Sequence, residues 1–257
     1  MSKNIIPEDV LSLRNFLSKR FLFGQGIEIG ALHTPLQTFN EASVRYVDRM
    51  GANELKLYYP ELHETSLVDP DIIDNGEMLS KFERDSLDFI VANHMIEHCE
   101  NPLGTMRAHL QRLKVGGVCF YSIPDKRFSF DCDRERTQFE HLVRDDKMGA
   151  ENSRIKHYEE WVEKVCKISF IENDIEKFKW HEGLRDLLID HDLDSLSSEE
   201  LRVILDEMNY SIHYHVWDSD SFCDFLIRGR EYLNDMYSIK CFLPNHSEII
   251  AIIQKIL

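Results

Sequence analysis

Two stretches of the chain, residues 88–93 (DFIVAN) and 117–124 (GVCFYSIP), are almost continuously apolar and too short for buried helices. Runs of this kind suit strands covered on both faces, because successive side chains point to opposite sides of a sheet. Further strand candidates are 26–30 (GIEIG), 44–48 (VRYVD) and 65–73 (TSLVDPDII). Helical patterns separate them at 53–62 and 101–114; the second starts at Asn-Pro and stops at Gly116-Gly117. Alternation of strand and helix predicts an α/β fold with a doubly wound, mostly parallel sheet. A leading segment, 7–21, carries Val10, Leu13, Phe16 and Leu17 at helical spacing and is expected to pack on that sheet.

The alternation breaks at Asp125. Residues 126–209 read as charged helices at 136–147, 157–168, 174–189 and 198–208, the last opened by a Ser-Ser-Glu-Glu cap. Strand character resumes with YSIHYHVW, a helix over 219–233, and the pair SIKCFLP and EIIAIIQKI. The expected organisation is a sheet domain of residues 1–125 and 210–257, interrupted by a helical insertion, 126–209, that caps the substrate.

Charge and composition limit the partners. The 46 acidic and 30 basic side chains give a net charge of -16, with no basic run to follow a phosphate backbone, so a long nucleic acid is not expected. No apolar run reaches the ~18 residues that span a bilayer. The first residues lack a secretory pattern, and the six cysteines are scattered, so a cytoplasmic chain without membrane insertion or disulfides is expected.

Ligands of open parallel sheets bind beyond the carboxyl ends of the strands. Those ends carry Glu28 and Gly30, Asp48, Asp71 and Asp74, and Asn93 with His94. Gly30 lets a turn pass close to a ligand, and Asp48, twenty residues after Glu28, can accept hydrogen bonds from both hydroxyls of a ribose. Each type is also common in turns, but four consecutive strand ends together predict a nucleoside-like site. A nicotinamide cofactor fits less well: Gly24 and Gly26 precede the strand, and the following turn carries Leu32, His33 and Pro35, not a phosphate-binding glycine loop.

With GIEIGALHTPL, YVDRM and LDFIVANHMIEHCENPLGTMRAHLQRLKVGGVCFYSIPD, the chain resembles class I S-adenosylmethionine-dependent methyltransferases, most closely a bacterial group encoded with lipopolysaccharide or capsule genes. The resemblance covers residues 20–125 and 210–257. It implies a seven-stranded Rossmann-like sheet with one reversed terminal strand and S-adenosylmethionine as cofactor. Glu28 and Gly30 would lie near the methionine, Asp48 would hold the ribose, and Asp71 or Asp74 would reach the adenine. Asn93 and His94 would flank the sulfonium. Leu32 and Thr34 replace glycines of the family's first motif. The implied acceptor is a hydroxyl of a small molecule, a sugar or sugar-nucleotide of a surface polysaccharide; a phenolic or carboxylate acceptor is the alternative.

His94 to His98 also reads H-x-x-E-H, which on a helix would mark an inverted zinc peptidase. Here it follows a strand directly inside the methyltransferase signature, so a zinc hydrolase is not expected. Some hydroxyl methyltransferases bind magnesium through an E-x-x-E-H at this place. The ion prefers oxygen ligands, so His94 in the first position argues against a metal, and Glu97 and His98 are read as orienting the loop. A non-catalytic cofactor-binding module is the remaining alternative. A sugar hydroxyl needs help from a base suited to neutral pH, and the candidates are His98, then His157 from the insertion and His215 from the returning strand.

Overall fold

The computed structural model describes residues 10–257 except 40, 60, 61 and 167–195. Seven strands form one sheet: β1 (Gly24–Ile29), β2 (Ala42–Asp48), β3 (Ile72–Ile73), β4 (Leu87–Asn93), β5 (Leu113–Pro124), β6 (Tyr237–Asn245) and β7 (Glu248–Lys255). Their order is β3-β2-β1-β4-β5-β7-β6. The first five pair in parallel, and β7 runs antiparallel between β5 and β6. This is the doubly wound, Rossmann-like arrangement with a reversed last strand.

Residue alternation explains why β4, β5 and β7 are so apolar. Phe89, Val91, Val118, Phe120, Ile250 and Ile252 face one side, where Leu13 and Leu17 of helix α1 (Val10–Phe21) cover them. Ile90, Ala92, Cys119, Tyr121, Ile249 and Ala251 face the other. There they meet Leu103, Met106 and Leu110 of α3 (Pro102–Arg112) and Phe222, Phe225 and Leu226 of the Ser219–Tyr232 helix. Helix α3 starts where expected because the Asn101 side chain accepts the Gly104 N–H at 2.8 Å and Pro102 occupies the first turn. Helix α3 ends at Arg112, before the expected stop at Gly116-Gly117, which instead lie within the first residues of β5; a Cβ on Gly117 would lie 3.0 Å from the carbonyl oxygens of Asp88 and Lys114, so only glycine fits without a shift.

Several expectations need correction. Phe16 is exposed, and the buried face of α1 holds Arg14 instead. The third strand is Ile72–Ile73 alone, so Asp71 precedes it, exposed, and its carboxylate accepts the Tyr46 N–H at 2.8 Å. YSIHYHVW is not a strand of the sheet; only Trp217 forms an isolated bridge, to Asp125. Helix α2 (Ala52–Tyr58) is shorter than expected.

Beyond β5 the chain forms α4 (Phe139–Met148), α5 (Glu151–Trp161) with a π turn, Val162–Cys166, and the Ser198–Glu207 helix. The helix expected at 174–189 lies outside the described residues. Tyr158, Trp161, Val165, Leu201, Leu205 and Ile212 make a separate apolar cluster here. Phe139 and Leu142 of α4 instead join the core of the sheet. Among the described residues no helix is long and apolar enough to cross a membrane.

Candidate active site

The cofactor candidates gather at the carboxyl edge of β1, β2, β3 and β4. Both oxygens of Glu28, 1% exposed, accept the Leu36 N–H at 3.0 Å, so this carboxylate folds the loop after β1 back over the strand. Burial drives its pKa up to about 7. Gly30 opens the loop at φ 64°, and no atom stands within 4 Å of where its Cβ would be. Leu32 is also left-handed, at φ 47°. The loop therefore keeps a conformation that favours glycine although the family's glycine is absent, at a cost of roughly 1 kcal/mol.

Asp48 ends β2, and its Oδ1 accepts the Arg49 N–H at 2.7 Å. Asp74 follows β3 and is buried, with its carboxylate accepting Asn75 N–H and Ser80 Oγ–H at 2.8 Å each and Lys81 N–H at 2.8 Å. Of the two adenine candidates, only Asp74 stands at the carboxyl end of the strand. The Asn93 amide reaches toward Glu28 at 3.5 Å, and its oxygen accepts from Ser122 at 2.9 Å. Replacing Asp48 with alanine is expected to weaken S-adenosylmethionine binding by roughly 1–3 kcal/mol, measured by calorimetry. Unchanged affinity would exclude it from the site.

His94 sits at φ 50°, which turns its ring away from β4 toward β7. Its Nε2 lies 2.9 Å from Glu248 Oε2. The Arg14 guanidinium binds the same carboxylate, with Nε at 2.9 Å from Oε1, and Ser122 Oγ at 3.0 Å. Burial opposes both charges, but the contacts prevail: Glu248 falls to about 2 and His94 rises to about 9. Arg14 and Glu248 were not anticipated. The one available signal was an arginine on the apolar stripe of the first helix and an acid opening an apolar run.

The remaining histidines fall into two groups. His98 ends a 3-10 turn, Ile96–His98, and its Nδ1 lies 2.9 Å from the Ile212 carbonyl. Its ring stands 4.6 Å from that of His213, whose Nδ1 is 2.6 Å from Asp131 Oδ2. Glu97, 1% exposed, completes this group, with neither oxygen well hydrogen-bonded. Burial and the neighbouring His213 hold His98 down at about 4. His94 and His98 thus do not share a helix face, and the inverted-peptidase geometry is absent. His157 and His215 lie in the second group, with ring centroids 5.0 Å apart and His141 beside both.

A seven-stranded, mostly parallel sheet in the order β3-β2-β1-β4-β5-β7-β6, with β7 reversed, is the Rossmann-like methyltransferase fold. The sequence matches the profile of the methyltransferase domain family over residues 8–224, and the chain belongs to that family. Its cofactor is S-adenosylmethionine. No curated protein matches the sequence. Among solved structures, a Rhodobacter sphaeroides protein described as a candidate Zn-dependent alcohol dehydrogenase is 12% identical, with a TM-score of 0.52 over 94% of this chain and 88% of that one. A Thermotoga maritima protein described as a SAM-dependent methyltransferase is 12% identical, with a TM-score of 0.45 over 97% and 88%. The chain spans about half the length of two others, the CurJ carbon methyltransferase (49%) and the Bacillus protein YcgJ (50%). At such identities the likeness is one of fold.

Proposed function

We propose that the chain transfers the methyl group of S-adenosylmethionine to a hydroxyl of a sugar or sugar-nucleotide destined for a surface polysaccharide, with residues 126–209 acting as the acceptor cap. The observation that carries this reading is a cleft of about 470 Å³ between α4 and α5. Three cationic side chains, Arg136, Arg144 and Lys156, border it, interleaved with the carboxylates of Glu135, Asp145 and Glu160. Guanidinium and ammonium groups would bind the diphosphate of a nucleotide-sugar, and the carboxylates would accept from sugar hydroxyls.

The cap touches the cofactor edge at several points. Tyr58 of α2 donates to the Asn209 carbonyl at 2.6 Å and Arg154 of α5 binds Glu100 at 2.6 Å, while in the returning segment that follows the cap the His215 N–H donates to the Glu97 carbonyl at 3.2 Å. A layer there would exclude water and align the hydroxyl with the sulfonium for in-line attack. His98 is the proposed base. Its Nδ1 is occupied by a carbonyl, so Nε2 is the nitrogen free to take the hydroxyl proton, and the buried Glu97 beside it would stabilise the imidazolium that forms.

Purified nucleotide-sugars incubated with radiolabelled cofactor test the acceptor. Label is expected in a nucleotide-sugar. Labelling of small aromatic acids alone would replace this acceptor with the phenolic or carboxylate class.

A further inference from the structure

We propose that His141 and Asp145 of α4, His157 of α5 and His215 of the returning segment form a four-ligand site for a divalent metal ion of the zinc class. Each offers one ligand atom, and all four atoms lie within 4.8 Å of one another. His141 Nε2 stands 3.1 Å from His157 Nε2 and 3.2 Å from Asp145 Oδ2. Bond lengths of ~2.0–2.1 Å in a tetrahedral zinc site put neighbouring ligand atoms about 3.3 Å apart. Two separations already match, and the widest closes by at most about 1.5 Å.

The atoms facing the centre lack other partners, and those facing away have them. His215, fully buried, places Nε2 at 3.2 Å from the Glu100 carbonyl, while its Nδ1 has no hydrogen bond. Asp145, 2% exposed, accepts Ser153 Oγ–H on Oδ1 at 2.6 Å and leaves Oδ2 without one. His157 is hydrogen-bonded to the Tyr214 backbone. Outer bonds of this kind fix ring orientation and tautomer in metal centres. Without an ion, the buried His215 nitrogen goes unpaired, which costs roughly 1–3 kcal/mol, and the buried Asp145 oxygen keeps only the His141 ring at 3.2 Å. One contact must give way: Arg144 donates to His141 Nδ1 at 3.2 Å, and that nitrogen carries the proton once Nε2 binds metal.

Four protein ligands close a tetrahedral shell, which marks a structural rather than a catalytic site. Three imidazoles and one carboxylate suit zinc better than magnesium or calcium. The ion would pin both helices to the segment that returns to the sheet, and His157 and His215 would be ligands, not bases.

The test is metal analysis of the full chain, untagged and purified without chelator. About one equivalent of zinc is expected, or its uptake when zinc is added to chelator-treated protein, with a rise in Tm of several degrees. Cobalt in its place should give the intense visible bands of a tetrahedral centre. His141→Ala and Asp145→Asn should weaken zinc binding by roughly 100-fold or more, while His98→Ala leaves it unchanged. Failure of the wild type to take up either metal at millimolar concentration would overturn the site; cofactor binding, measured separately by calorimetry, would be unaffected by that result, although His141, Asp145 and His157 also line the cleft between α4 and α5. Loss of metal in His98→Ala but not His141→Ala would overturn it equally, because the ion would then belong to Glu97, His98 and His213.

Discussion

Replacing His98 with alanine is expected to lower turnover by ~10²–10⁴-fold while leaving S-adenosylmethionine affinity nearly unchanged. A base acts on the acceptor proton and not on the cofactor, so turnover and cofactor binding should separate. The pH profile gives a second readout. His98 must be neutral to accept a proton, and burial with the neighbouring His213 holds it at about 4. The acid limb of the profile should therefore lie near 4 rather than near the ordinary 6.5. Turnover of the alanine variant within a few-fold of wild type would leave methyl transfer to positioning alone.

Breaking the Arg14–Glu248 pair carries the largest expected effect on stability. Both side chains are buried, at 7% and 2% exposure, so removing Glu248 strands the guanidinium beside Ser122, and removing Arg14 leaves the carboxylate with His94 as its only charged partner among the described residues. Arg14→Ala or Glu248→Ala should each cost roughly 3–5 kcal/mol in urea unfolding, whereas the double variant Arg14→Met/Glu248→Leu should recover much of that loss. For a chain of this size, the single variants correspond to a fall in Tm of roughly 6–20 °C. Single variants within 1 kcal/mol of wild type would mean that water reaches the pair.

The network also sets a pH window. Glu248 is depressed to about 2 from an ordinary 4.5, so its contribution is present above 4.5 and is lost as pH falls toward 2. His94 is raised to about 9 from 6.5, so its contribution is full below 6.5 and is lost as pH rises through 9. Between about 4.5 and 6.5 both are complete.

How much of this was legible in the sequence depends on whether the signal is local. The parallel strands could be read because both faces of β4 and β5 are covered, which forces continuous apolar runs. The Asn101 cap and the polar strand ends were legible for the same reason: each is imposed by backbone geometry within a few residues. The stop at Gly116-Gly117 was not, because the helix ends at Arg112 and the glycines enter β5. The placement of Asp71 was not. Ile72 and Ile73 alone pair with β2, and nothing in TSLVDPDII marks where pairing begins. YSIHYHVW has strand composition, but only contact with β4's loop and with α5 shows that it runs outside the sheet.

The histidines mark the sharper division. The sequence by itself determined the α/β class, the family resemblance and the polar residues at the strand ends, because those follow from periodicity and from short motifs. It could not pair His141 with His215, or Arg14 with Glu248, across sequence separations of 74 and 234 residues. Such partners share no spacing rule, and they meet only because the sheet brings the chain's two ends together and the helices after β5 fold back over its carboxyl edge. Tertiary structure therefore decided which buried charges are paired, which imidazoles face one another, and which nitrogen of each is free.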